Sequence, residues 1–447
     1  MNKEKGSFIG LLPMLIFLVV YFAIGIGTGA FDVSFPLMMG IFLASVISLA
    51  LTSPVAEKKT LAEKIVMFCK GGGDDTLILM VLIYMLAGAF YAVSIYTGAR
   101  EAMGQLGVAL LPPRLILPAI FLVSMIFSFS MGTSMGTVNT VMVFATAFAP
   151  LINVGDEATK LAIVCGIVVG GAMFGDNLSF ISDTTIAAAT TQEVPMKAKF
   201  QQNILMCAPA VILTFILIAL IPIQVPQAQT LAGINWIVLF PFLLIVVLSI
   251  AGMHVLPAMT LSITVAGIIG VAIGKFPLFH TGDQAGVFEV VHEGMMWMQD
   301  MAVIAIFIGG ICAMMHYLGG INWLINTLSK NVKSSKGCEL SLALLAFIID
   351  IATTNNTITI IATGPIAKEL GDKYGVARER IASILDIFSS VGQGISPHGG
   401  QLLAAGSLAG VSPAAIVMWC WYPMLMGISS LIFIILGIGR PVKKAKA

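Results

Sequence analysis

Long apolar runs dominate the chain, and short clusters of Gly, Ser, Thr, Asn and Asp punctuate them. A run of about 20 mostly apolar residues matches the hydrocarbon core of a bilayer. Such runs fall at 8–29, 35–52, 76–97, 162–191, 204–223, 234–250, 256–274, 298–318, 381–408 and 414–438, and predict ten crossings. Two further runs, 115–151 and 340–370, are too long for one crossing and carry polar clusters at their middle. Each predicts a re-entrant hairpin, two half-helices turning back at a polar tip. Runs 162–191 and 381–408 are interrupted in the same way and predict broken helices. Segments 57–70 and 282–295 are amphipathic and predict helices lying in the membrane interface.

The order of these elements repeats. Residues 87–98 align with 309–320, and each stretch is followed by a hairpin, a broken helix and a last span. The pattern predicts an all-α polytopic membrane protein of two units, 1–225 and 226–447, with five crossings, one re-entrant hairpin and one broken helix each. An odd number of crossings inverts the second unit in the membrane, the plan of many secondary transporters.

Composition sharpens this picture. Of 447 residues, 58% are hydrophobic and 10% charged, against about 25% charged in soluble domains. That excludes a string of cytosolic domains, a nucleic-acid binder with a basic stripe and a disordered chain. The net charge of +1 is uninformative, but placement is not. With the N-terminus inside, nineteen Lys and Arg fall on the inner side and four (Arg100, Arg114, Lys160, Lys275) on the outer. This bias predicts cytoplasmic termini in a bacterial inner membrane, a first hairpin opening outward and a second opening inward. The six cysteines stand singly, as small apolar packers. No phosphate-binding loop is present, so direct ATP coupling and a bound cofactor are not expected.

The scarcity of charge makes intramembrane carboxylates stand out. Asp176 and Asp183 lie in a polar break within 162–191, where each carboxylate costs about 2.5–3.5 kcal/mol even on a lenient scale. A proton or a cation would offset that cost. Gly175 and the Asn, Ser and Thr neighbours favour unwinding there, and freed carbonyls, hydroxyls and carboxylates are hard oxygen ligands for an alkali ion. Asp183, ahead of Thr184, also reads as a helix N-cap. The first hairpin tip, 128–139, and the second, 350–359, would each aim a half-helix N-terminus at mid-membrane. The second break, 387–401, has no carboxylate at its centre and offers Gln393, Ser396 and His398 instead. His398 either carries a proton or donates to a free carbonyl. Asp350 and Asp386 lie at or near helix ends. The Gly-x-Gly-Asp pattern of intramembrane aspartyl proteases is absent, since residues 173–176 read Met-Phe-Gly-Asp.

The run Phe174-Gly175-Asp176-Asn177-Leu178-Ser179, followed by Ile181-Ser182-Asp183-Thr184-Thr185, resembles the signature of the NhaC family of sodium/proton antiporters. Phe180 replaces the proline usual in that pattern. The hairpin tips are more distantly similar to those of the divalent-anion/sodium symporters of the ion transporter superfamily. That second resemblance implies a homodimer in which a transport domain slides against a scaffold.

The resulting expectation is a sodium-coupled transporter, not an enzyme, exchanging Na+ for H+ in an elevator-type cycle. Asp176 and Asp183 would hold either ion. Asn177, Ser179, Ser182, Thr184, Thr133, Ser134 and Thr137 would complete the cation shell. The alternative keeps the fold but changes the cargo to an amino acid or small carboxylate, held by Thr354, Asn355, Asn356, Thr357, Gln393, Ser396 and His398.

Overall fold

The computed structural model describes residues 5–28, 35–224, 233–330 and 332–440. The expected boundary between units, at 225 and 226, lies outside the described residues. So do the first four and last seven residues, which held Lys3, Lys443, Lys444 and Lys446 of the inner-side count.

The described chain is nearly all helical. The first half comprises α1 (Leu12–Thr28), α2 (Phe35–Ala50), α3 (Leu61–Gly72), α4 (Asp75–Thr97), α5 (Ala99–Leu110), α6 (Pro113–Met131), α7 (Ser134–Ala145), α8 (Glu157–Leu178), α9 (Asp183–Gln192) and α10 (Met196–Ala219). The second comprises α11 (Trp236–Ile250), α12 (Val255–Ala272), α13 (Val287–Trp297), α14 (Gln299–Tyr317), α15 (Gly320–Ser329), α16 (Ser335–Thr353), α17 (Asn356–Tyr374), α18 (Arg378–Ile395), α19 (Gly400–Ala409), α20 (Pro413–Val417) and α21 (Trp421–Leu436).

Apart from the short α20, the two series match element for element, and their contacts are exchanged. Helix α3 packs on α14 while α13 packs on α4; α7 packs on α19 while α17 packs on α9. Helix α10 meets α18 and α21 meets α8 in the same reciprocal way. Local caps repeat too: α5 and α15 each begin after a left-handed glycine, Gly98 (φ 76°) and Gly319 (φ 80°). That match is one residue off the alignment of 87–98 with 309–320, which paired Gly98 with Gly320.

Among the described residues, eight helical segments are long and apolar enough to cross a membrane. They include both arms of the first hairpin, 113–131 and 134–151. Three expected spans form shorter apolar helices, at 37–50, 236–249 and 421–436. Run 381–408 is not selected by apolarity at all, because α18 carries a strongly polar face. It can lie at membrane depth because it is enclosed: every residue from Arg380 to Gly394 is buried. Helices α7 and α8 are enclosed likewise, whereas α1, α2, α10, α11 and α21 expose Val19, Phe42, Ile212, Leu243 and Leu436. Polar groups sit in the centre and aliphatic ones on the rim, as a lipid solvent requires.

Some of the basic residues counted as loop charges have other roles. Helix α10 starts eight residues before the expected 204, so Lys199 lies inside it, fully buried. Lys64 is buried in α3 and donates to the carbonyls of Leu49 and Leu51. Arg380 is buried against Glu339.

Candidate functional site

Four chain breaks converge in the middle of the molecule. Helix α6 ends at Gly132 (φ 66°), and Thr133 caps α7 by accepting the Gly136 N–H at 3.4 Å. Helix α16 ends in the same way, but its left-handed residue is Thr354 (φ 51°), and Asn355 caps α17 by accepting the Ile358 N–H at 3.0 Å. A β-branched residue in this conformation is strained, at a cost of order 1 kcal/mol or more. The α8/α9 break spans 179–182 and the α18/α19 break 396–399. The first lies later than expected from Gly175: the helix runs through Asp176 and Asn177 to Leu178, and Ser182 rather than Asp183 is the cap residue of α9.

Glycine explains how closely these parts approach. A Cβ at Gly175 would overlap Ser128 and Phe129 of the first hairpin. Ser128 Oγ donates to the Ala172 carbonyl at 2.5 Å, and Ser179 Oγ to the Phe129 carbonyl at 2.8 Å. The α8/α9 break is therefore pinned to the α6/α7 tip.

Both tips and both broken helices line one cavity of about 410 Å³. Asp176 lies deep in it and is only 4% exposed. Its Oδ1 accepts from Ser182 Oγ at 2.7 Å and its Oδ2 from Ser134 Oγ at 2.8 Å; Ser134 in turn accepts from Gln401 Nε2 at 2.9 Å. Thr184 Oγ1 lies 2.8 Å from Ser182 Oγ and 3.4 Å from the Asp176 carbonyl. Asp183 is exposed to the cavity. Its Oδ1 accepts the Thr184 N–H at 3.0 Å and its Oδ2 accepts from Thr357 Oγ1 at 2.7 Å. The two carboxylates are thus linked through Ser182 Oγ, Thr184 Oγ1 and the Thr184 N–H, while Ser134 and Thr357, one from each half, each donate a hydroxyl to one of them.

Other expected residues divide. Thr133, Ser134, Asp176, Asp183 and Thr184 line the cavity, as do Thr354, Asn355, Asn356, Thr357 and Gln393. Gln393 Nε2 donates to the Thr354 carbonyl at 3.0 Å and so braces the strained tip. The rest lie behind this lining. Thr137 Oγ1 donates to the Thr133 carbonyl, Ser396 Oγ to the Gly392 carbonyl, and Ser179 and Ser182 hold the break. His398 is buried, donates through Nε2 to the Ile351 carbonyl at 2.8 Å and meets Phe17 edge-on. The expected hydrogen bond to a free carbonyl is present, and a charged imidazole would make it equally well.

Asn177 points away from the cavity into a second polar centre. Its Oδ1 accepts from Asn203 Nδ2 at 2.6 Å, and its backbone carbonyl accepts from Lys199 Nζ at 2.6 Å. Lys199 forms a buried ion pair with Asp386, and Asn203 Nδ2 also donates to Asp386 Oδ2 at 2.8 Å. Ser390 Oγ accepts from Asn177 Nδ2 and Asn356 Nδ2, both at 3.4 Å, so this centre ties both broken regions together. Sequence reasoning missed Lys199 and Asn203. Their i, i+4 spacing was a signal, hidden by placing Lys199 in a loop. Gln401 and His254, which also line the cavity, were not selected either.

The donor set is that of a hard cation: two carboxylates, several hydroxyls and carbonyls. No group of three or more His, Cys, Asp or Glu side chains is placed to hold a metal among the described residues. The model for the Na+/H+ antiporter family matches residues 171–439, more than half of the chain. The chain belongs to the Na+/H+ antiporter family. That agrees with the resemblance carried by residues 174–185.

Relatives of this Na+/H+ antiporter family member span most of its length. The Na(+)/H(+) antiporter NhaC of Bacillus subtilis is 26% identical and covers 82% of this chain and 84% of its own. The malate-2H(+)/Na(+)-lactate antiporter of the same organism is 23% identical over 76% and 77%. The arginine/ornithine antiporter ArcD of Halobacterium salinarum is 22% identical over 90% and 87%. Family membership supports a multi-pass membrane protein that moves Na+ and H+ by antiport.

Proposed function

We propose that this protein exchanges Na+ for H+ at the Asp176/Asp183 site, through competition for the same carboxylates. The observation that carries the reading is the link between the two carboxylates: Ser182 Oγ on Asp176 meets Thr184 Oγ1, the Thr184 backbone N–H binds Asp183, and the outer hydroxyls, Ser134 and Thr357, come from opposite halves of the chain. A buried carboxylate such as Asp176, close to a second one, is costly when the site is empty and both are ionised. Loading with Na+ or with protons removes that cost, so the loaded forms are the ones able to move.

The reciprocal contacts of α1–α10 with α11–α21 favour two inverted units, 1–225 and 226–447, each with a re-entrant hairpin and a broken helix. In that arrangement helices α6–α9 and α16–α19 form a moving body and α1–α4 with α11–α14 a scaffold, an elevator-type cycle in a homodimer. The protein would lie in the bacterial inner membrane with both termini cytoplasmic.

A second reading rests on cavity size. About 410 Å³ exceeds what one dehydrated cation fills and lies in the range of small-molecule sites. The N-terminus of α17 and the neutral Thr354, Asn355, Asn356, Thr357 and Gln393 suit a carboxylate without any arginine. An amino acid or small carboxylate would then move with Na+. Proteoliposomes carrying the purified protein decide between the two. Na+-dependent proton movement with no added solute is expected for the exchange reading. Flux that requires one of a panel of labelled amino acids or dicarboxylates would replace it with the second.

A further inference from the structure

The sequence marks Asp350 as a helix-end residue, and the site above does not use it. It is fully buried in the last turn of α16, one turn below the second tip. Neither carboxylate oxygen has a hydrogen-bond partner among the described residues. Its side chain faces α18, where a Cβ at Gly392 would come 3.0 Å from Asp350 Oδ2.

The same place in the first hairpin holds a hydroxyl. The carbonyl of Ser128 accepts the N–H of Gly132 at 2.9 Å, and the carbonyl of Asp350 accepts the N–H of Thr354 at 2.6 Å; Gly132 and Thr354 are the left-handed residues that end their helices. Ser128 lies against Gly175 of α8 as Asp350 lies against Gly392 of α18. In the first half the group at this position is a donor, bound to a helix carbonyl. A carboxylic acid can donate in that way and an ionised carboxylate cannot. The charged form would also lack a counter-ion and sit at the negative end of the α16 dipole.

The titratable groups on the elements packed around α16 do not neutralise it. On α18, Asp386 is engaged by Lys199, and Arg380 lies at the start of the helix against Glu339. Glu339 itself lies at the start of α16, and Arg440 pairs with it. Cys312 on α14 contacts the Ala352 and Thr353 carbonyls, and Tyr422 on α21 is a neutral phenol. His316 ends α14, and on α17 Lys368 is engaged by Glu193 and Asp372 by Arg378 at the far end of the helix. His398 binds the carbonyl of Ile351, the residue after Asp350.

We propose that Asp350 is a second proton-binding site, separate from the Asp176/Asp183 pair and emptied during the transport cycle. The acid gives its proton to water when the tip at 353–355 moves, and the resulting carboxylate takes one back on the other side; no other bond changes. Asp350 lines neither cavity beside the tip, so water reaches it only when the tip moves. Asn355 lines the central cavity on one side of the tip and, with Thr353, a smaller cavity of about 140 Å³ that also touches Cys312 and His316.

This proposal rests on the exchange reading only for the direction of proton flow. Infrared spectra of purified protein read the carboxylic acid C=O band directly. The band of a buried acid is expected in wild type at neutral pH, and its loss in Asp350→Asn. In proteoliposomes the same variant is expected to move one proton fewer per Na+, while thermal stabilisation by Na+ persists. Should Asp350→Asn not fold, Asp350→Ser restores the residue type of the first hairpin and carries the same two expectations. A band unchanged by substitution, or a proton-to-sodium ratio equal to wild type, overturns the proposal. Proton movement that requires an added solute would sink the exchange reading alone, and the proton loss in Asp350→Asn then still decides about Asp350; a wild-type protein that moves no protons under any condition overturns both.

Discussion

Thr357 Oγ1 donates to Asp183 Oδ2 at 2.7 Å, a contact between residues 174 positions apart in the chain. It joins the first turn of α17 to the first turn of α9, so the two halves meet at an ionisable group. Replacing Thr357 by Val removes the donor but keeps the shape. A hydrogen bond of this kind is worth about 1 kcal/mol, so the Na+ concentration for half-maximal transport is expected to rise about fivefold. A double-mutant cycle with Asp183→Ala, which removes the acceptor, checks it: coupling near zero would mean that the contact is incidental.

Asp176 and Asp183 differ in kind. The first is buried and accepts one hydroxyl on each oxygen, the second faces the cavity. Asp176→Asn is expected to express at wild-type level and to abolish Na+-dependent transport, since an amide can neither be protonated nor neutralise a cation. Asp183→Asn, with water at hand to replace it, is expected to weaken Na+ affinity while leaving measurable flux. Flux assays in vesicles distinguish the two. Normal transport by Asp176→Asn would remove this aspartate from the ion site.

What the sequence conveyed and what it concealed have one cause. The helix breaks, and the two aspartates beside one of them, were legible because polar residues inside apolar runs are expensive, and the residues that tolerate the cost announce themselves. The pairing of those residues was not legible. Thr357 meets Asp183, and Gln401 meets Ser134, through tertiary packing that no local pattern encodes. Lys199 was misread for a sharper reason. A lysine at the edge of an apolar run looks the same whether it ends in water or is buried against an aspartate 187 positions on, and only the fold of α10 against α18 decides.

The Lys199–Asp386 pair should behave as a structural unit. Both side chains are essentially inaccessible, and Lys199 also donates to the Asn177 carbonyl and to Thr185 Oγ1 at 2.8 Å. Removing one partner of such a pair strands a buried charge, at about 3–5 kcal/mol. Lys199→Met is therefore expected to lower the melting temperature in detergent sharply. The double variant Lys199→Met/Asp386→Leu should recover a large part of the loss, because no charge is left unpaired. Equal melting temperatures for single and double variants would show that the charge itself is not what matters.

A surface counterpart titrates in a defined direction. Glu193, just past the end of α9, pairs with Lys368 of α17 through Oε1 and with Arg378 of α18 through Oε2, both at 2.7 Å. The hydrogen bonds from Lys368 and Arg378 hold its carboxyl below the usual range. A carboxylate depressed on folding contributes stability above its unfolded value and loses that contribution as pH falls through the folded one. Glu193→Gln should accordingly melt slightly below wild type at neutral pH in dilute buffer. The gap should close as pH drops below the ordinary glutamate range, and also at neutral pH in molar salt, where exposed pairs are screened. A gap that persists under both conditions would assign the effect to the left-handed backbone at residue 193 (φ 55°) instead of to its charge.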